Sequence, residues 1–241
     1  MVLALLLLAA CAGGPDPCAQ KRTPTPIDAA TTGTVTGRVR FDGTPPATKA
    51  PGMTSDCAGL HHGTPVTPED VVVHDGAVEN AFVYVKDGLG DRVFAVPDAV
   101  VTVDQTGCVY RPHVVGVQVC QPLEFVNGDP LLHNVHGTPR RSASWNFSMG
   151  VQGSKRTTRL AQPEVMVEVR CDVHPWMQAY IGVLDHPFFA VTGADGRFAM
   201  RGLPAGDYVV ASWHERFGTR EEHVTLAPGG TQDISLAYAP H

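Results

Sequence analysis

Glycine and proline recur too often in this chain for long helices, with 25 Gly and 20 Pro in 241 residues. An interior Gly costs a helix about 1 kcal/mol relative to Ala, and an interior Pro about 3 kcal/mol. Short strands joined by turns are the architecture such a chain can reach. Hydrophobic residues make up 43% and charged residues 17%, which is too apolar for a chain that stays unfolded. The net charge of −6 supplies no basic field, so nucleic acid is not an expected partner.

Residues 2–10 (VLALLLLAA) are apolar and run into Cys11. The run is far short of the roughly 20 residues that span a bilayer as a helix and fits the apolar part of a secretory signal. Leu8-Ala9-Ala10-Cys11 resembles a bacterial lipobox. That resemblance implies lipidation at Cys11 and an exported lipoprotein, periplasmic or at the outer membrane, held to the membrane by its lipid. No Lys or Arg precedes the apolar run, so a basic leader would require an upstream start. Residues 12–32, rich in Gly, Pro and Thr, read as a flexible tether. Cys18 falls within it and is read as unpaired.

From Gly33 onward the pattern is β. Apolar alternation or Val-rich runs predict strands over 34–41, 71–74, 81–86, 100–104, 114–119, 123–127, 165–171 and 179–184. Further strands are expected over 188–192, 197–200, 207–213, 222–226 and 232–237, with no long amphipathic helix. The fold class is therefore all-β, built as two β-sandwiches. Gly193-Ala194-Asp195-Gly196-Arg197-Phe198 and Gly202-Leu203-Pro204-Ala205-Gly206-Asp207-Tyr208 resemble the second half of a carboxypeptidase regulatory-like (transthyretin-like) sandwich. Its first half would come from 33–99 and its second from 186–241. The block 100–185 would then be a second domain, inserted into that sandwich or placed next to it in tandem.

The block 100–185 resembles a cupredoxin, the Greek-key sandwich of blue copper proteins. The resemblance rests on Tyr110-Arg111-Pro112, on Leu123-x-Phe125-x-Asn127-x-Asp129, and on His133-Asn134-Val135. It rests above all on Cys171-Asp172-Val173-His174-Pro175-Trp176-Met177, a short loop most like that of amicyanins. One mononuclear copper site is implied, with His133, Cys171 and His174 as equatorial ligands and Met177 as a weak axial one. Those donor types suit both Cu(I) and Cu(II): soft thiolate and thioether sulfur with borderline imidazoles. The resemblance gives Asn134 the role of pinning the cysteine loop and Pro175 that of stiffening it. Electrons would leave through the edge of His174 at an apolar rim formed by Pro175 and Trp176.

A zinc site on His133, His136, Cys171 and His174 is the rival. Residues three apart on a strand face opposite ways, however, so His133 and His136 should not converge. Of the remaining cysteines, Cys57–Cys108 is the favoured disulfide and Cys108–Cys120 the alternative. The function implied is a single-electron carrier at the cell envelope, with a redox partner protein and no substrate transformed. Copper capture and delivery on the same ligands is a second reading. A structural or carbohydrate-binding module is a third.

Overall fold

The computed structural model describes residues 16–19, 22–62, 64 and 66–240. Residues 1–11, expected to be a signal ending at the lipidated Cys11, lie outside the described residues. In chain order the strands begin with β1 (Gly33–Phe41), β2 (Val73–His74), β3 (Ala77–Val78) and β4 (Phe82–Asp87). Then follow β5 (Val101–Gln105), β6 (Tyr110–Arg111), β7 (Val114–Gln118), β8 (Leu123–Asn127) and β9 (His133–Gly137). Next are β10 (Trp145–Met149), β11 (Lys155–Thr158), β12 (Glu164–Arg170) and β13 (Gln178–Leu184). The last five are β14 (Phe189–Val191), β15 (Arg197–Leu203), β16 (Gly206–His214), β17 (Gly218–Leu226) and β18 (Thr231–Tyr238). A single short helix, α1 (Ser55–Leu60), interrupts the segment between β1 and β2. The protein is almost entirely β.

Alternation decides which face each strand buries. In β1 the odd residues Val35, Val39 and Phe41 point inward while Arg38 and Arg40 stay in solvent, the period of two that a half-buried strand requires. β1 pairs with β15 antiparallel, with β18 parallel and with β3 at Arg40. The facing sheet runs β14-β4-β16-β17. Val35, Val83, Tyr208, Val210, Leu236 and Tyr238 are among the side chains that fill the space between the two sheets. This outer sandwich thus takes strands from both ends of the described chain.

Strands β5 to β13 form the inner sandwich. One sheet runs β10-β9-β12-β13-β7 and the other β11-β8-β5-β6, around Val103, Tyr110, Phe125, Val135, Val169 and Ile181. The two sandwiches meet through Phe82, Tyr84, Val114, Leu184 and Ala211. Gly182 and Gly116 on the inner side make room for the Phe82 ring. A Cβ at Gly182 would lie 2.3 Å from the ring, and one at Gly116 2.8 Å, both inside van der Waals contact. Beside this apolar seam, His113 Nε2 pairs with a Glu215 carboxylate oxygen, and Tyr180 donates to the other oxygen at 3.2 Å.

Two features depart from the sequence reading. Cys18 is not free: it is bonded to Cys120, across a separation of 102 residues, and Thr25 N donates to the Val93 carbonyl at 2.8 Å. The described part of the 12–32 stretch is thereby tied to the body of the protein. Cys120 has φ of 65°, a left-handed conformation that glycine adopts most easily. Between the strands expected over 71–74 and 81–86 lies a further one: the Asp75-Gly76 turn joins β2 to β3 (Ala77–Val78). Among the described residues no helix is long and apolar enough to cross a membrane.

Candidate metal centre

Cys171 follows the last residue of β12, and His133 opens the neighbouring strand β9. The chain then makes a tight loop from Cys171 to Met177. Met177 N donates to the His174 carbonyl at 2.9 Å and Cys171 N to the Met177 carbonyl at 3.2 Å. These two bonds close the loop and turn His174 back over Cys171. Ligand atoms of His133, Cys171 and His174 all lie within 4.8 Å of one another, and all three residues are buried. His174 Nδ1 stands 3.0 Å from His133 Nδ1 and 3.7 Å from Cys171 Sγ. Met177, 1% exposed, packs in the same core.

The protonation of His133 follows from its partner. His133 Nε2 is 2.9 Å from Asp129 Oδ2; a carboxylate only accepts, so Nε2 carries the proton and Nδ1 keeps its lone pair. That lone pair points at His174 and Cys171. Asp129 is itself held by the Gly107 and Cys108 amides at 2.7 and 2.8 Å, and its own N–H donates to Asn127 Oδ1 at 3.0 Å. Burial, and next the neighbouring His133, hold His174 below the ordinary imidazole pKa. Nδ1 is thus the nitrogen that a neutral His133 offers to a metal, and in the 3.0 Å contact with His174 Nδ1 one of the two rings donates.

Around this triad the loop is braced on two sides. Asn134 Nδ2 donates to Asp172 Oδ2 at 2.9 Å and to Asn146 Oδ1 at 2.7 Å, and Asp172 N donates to Asn134 Oδ1 at 2.6 Å. Tyr110 donates its hydroxyl to the Asn134 carbonyl at 2.6 Å and to the Arg170 carbonyl at 3.2 Å, joining the two ligand-bearing strands. Pro175 is exposed. Its ring fixes φ in the middle of the loop. His136 lies outside the cluster: it is partly exposed and pairs with Asp172 at 3.0 Å. The alternation of β9 sends it to the face opposite His133.

His174 is more deeply covered than an exposed ligand edge would be, at 6% exposure. Trp176 lies over it with ring centroids 5.2 Å apart and donates Nε1–H to the Cys108 carbonyl at 3.0 Å. Cys57 and Cys108 form a disulfide whose sulfurs lie within 4.8 Å of a His174 nitrogen. α1, far away in sequence, thereby caps the site. Val173 and Leu132, each beside a ligand in the chain, remain 46% and 50% exposed. Sequence reasoning assigned no site role to Asp129 or Tyr110. The signal was present for Asp129: a buried His needs a partner, and Asp129 stands four residues before His133.

One free cysteine sulfur, two imidazoles and a buried thioether are a donor set that suits copper in both of its common oxidation states. No family model and no curated protein matches the chain. Among solved structures it is similar to a Cu-containing nitrite reductase from Thermus scotoductus SA-01, at 22% identity over 41% of this chain, with a TM-score of 0.34. The match spans only 25% of that reductase. A mutant of amicyanin in its Cu(I) form matches at 18% identity over 42% of this chain and 97% of its own, with a TM-score of 0.32. A purple cupredoxin from Nitrosopumilus maritimus matches at 17% identity over 34% and 98%, with a TM-score of 0.30.

Proposed function

We propose that the protein is an exported copper protein of the blue, type 1 kind, which carries single electrons at the cell envelope and transforms no substrate. The observation that carries this reading is the convergence of His133 Nδ1, His174 Nδ1 and Cys171 Sγ inside a closed loop that also supplies Met177. A bound copper ion would supply the one-electron couple. His133, Cys171, His174 and Met177 would hold it. Asp129 fixes the His133 tautomer, while Asn134 and Tyr110 hold the two ligand-bearing strands in register. A site braced in this way changes little between oxidation states, which keeps electron transfer fast.

Four protein donors leave no open position for a substrate, which supports a carrier over an enzyme. Because His174 is capped, the partner protein would meet the loop at Val173 and Pro175, next to the ligand, and at Leu132. Two disulfides support an oxidising compartment, consistent with lipid attachment at Cys11 and a periplasmic or outer-membrane location. The outer sandwich, whose sequence resembles the carboxypeptidase regulatory-like family, would serve as scaffold. The test is optical. Adding Cu(II) to the purified protein is expected to produce an intense visible thiolate-to-copper band that ascorbate bleaches reversibly. A colourless complex would sink the proposal.

A further inference from the structure

The Cys57–Cys108 disulfide occupies an unexpected place for a purely mechanical staple. Its two sulfurs share a 4.8 Å cluster with His174, and Cys108 shares another with Asp129 and His133. All of these residues are buried. The two cysteines are held very differently. Cys108 is locked by its own main chain: its N–H donates to Asp129 and its carbonyl accepts from Trp176. Cys57 is the one buried residue of α1. That helix has no side-chain cap at Thr54; Leu60 and the flanking Met53 pack at the core edge, and His61 Nε2 lies 2.7 Å from the Gly107 carbonyl.

We propose that reduction of Cys57–Cys108 creates a second Cu(I) site, made of the two thiolates beside the His174 imidazole. The choice of copper as the metal rests on the function proposed above; the thiol pair beside an imidazole does not. A dithiol reductant delivers two electrons and two protons to the S–S bond, giving two thiols and its own disulfide. Both thiols then release their protons to solvent as they bind Cu(I), whose oxidation state does not change. Soft thiolates favour Cu(I) over Cu(II). Cys108 stays in place as a preorganised donor because Asp129 and Trp176 hold it without the disulfide. Cys57 closes the site from α1. In this form the protein holds copper for transfer between the two sulfurs, while His174 stays with the first site.

The experiment compares the full protein with its disulfides intact against protein reduced by a phosphine and freed of it under anaerobic conditions. Each is titrated with Cu(I) in competition with a chromogenic chelator. The reduced protein is expected to bind one equivalent more than the oxidised protein, and the Cys57→Ser/Cys108→Ser variant is expected to lack that gain. Copper taken up by Cys18 and Cys120 appears in the variant too and is subtracted. Should the variant not fold, alkylation of the reduced wild-type protein followed by mass spectrometry decides the matter. Cu(I) should protect Cys57 and Cys108 together. Equal uptake in both redox forms, or alkylation of these two cysteines unaffected by Cu(I), overturns the proposal. If the oxidised protein gains no colour with Cu(II), the electron-carrier reading fails, while the extra equivalent on reduction is still scored.

Discussion

The two sandwiches have similar cores of Val, Phe, Leu and Tyr, yet they place buried polar side chains in opposite ways. In the outer sandwich each such group turns back on nearby backbone or on a single hydroxyl. Tyr208 donates to the Pro204 carbonyl at 2.7 Å, Thr192 donates to the Val78 carbonyl at 2.8 Å, and Ser212 shares a hydrogen bond with Tyr238 at 2.9 Å. Its histidines do the same. His186 Nδ1 accepts from Phe188 N and His214 Nδ1 from Arg216 N, both at 3.2 Å, and burial drives the His214 pKa down to about 4. In the candidate centre of the inner sandwich, His133 uses Nε2 for support from Asp129 and His174 one face for support from Trp176, and their Nδ1 atoms meet. A buried histidine that caps its own chain is structural. One whose far nitrogen meets another donor across strands is a site.

That contrast can be broken most decisively at Cys171. Cys171→Ala is expected to abolish the visible copper band completely, whereas His214→Phe should leave it unchanged; absorption spectra of the two copper-loaded variants check this. Next in size is the seam that joins the halves. Phe82→Ala should cost about 3–5 kcal/mol in denaturant unfolding, as large-to-small changes in a packed core do. Gly182→Ala should destabilise the wild type but much less so in the Phe82→Ala background, a coupling that a double-mutant cycle measures.

A smaller effect is expected at Asp129. Asp129→Ala removes the partner of His133 Nε2 and should weaken copper binding by about 10- to 100-fold in competition titrations. Thr192→Val in the outer sandwich should leave copper affinity unchanged. The smallest effect is a pH slope at the seam. Burial alone would lower the His113 pKa, but the hydrogen bond and charge of Glu215, with smaller help from Glu69 and the Gln178 carbonyl, raise it above the ordinary 6.5. Its folded-state value therefore exceeds its unfolded one, so the pair's contribution is complete below about pH 6.5 and declines as pH rises through the raised value. Unfolding free energies measured across that window should show the decline in the wild type and not in Glu215→Gln.

Where burial alternates over five residues or more, the fold was legible. The strand expected over 123–127 is Leu123–Asn127, and that expected over 34–41 is Gly33–Phe41. β9 gives no strand signal by alternation, because His133-Asn134-Val135-His136-Gly137 has almost no apolar pattern, and it counts as extended only in the placing of His133 and His136 on opposite faces; pairing with β10 and β12 imposes that form. α1 is too short for helical periodicity to register. The residues of the candidate centre could be picked out because Cys171, His174 and Met177 sit in one loop. Of its surroundings only residues next to ligands in the chain, such as Asn134 and Pro175, were picked out. Asp129 holds His133 from a turn, and the cover over His174 comes from a segment more than a hundred residues earlier. Cys18–Cys120 had no local signal at all.

The parallel pairing of β1 with β18 sets the order in which the molecule can be finished. Thr36 and Asp233 are hydrogen-bonded although 197 residues apart, so β1 must wait unpaired on that side until nearly the whole chain has emerged. Contacts of such long range are slow to form because the entropy of closing the loop precedes any gain. The inner sandwich has no such delay, since all of its strands lie between Val101 and Leu184. It can assemble while the tail is still being made. The ligands would then be in place before the scaffold around them closes, and the last strand would act as the latch.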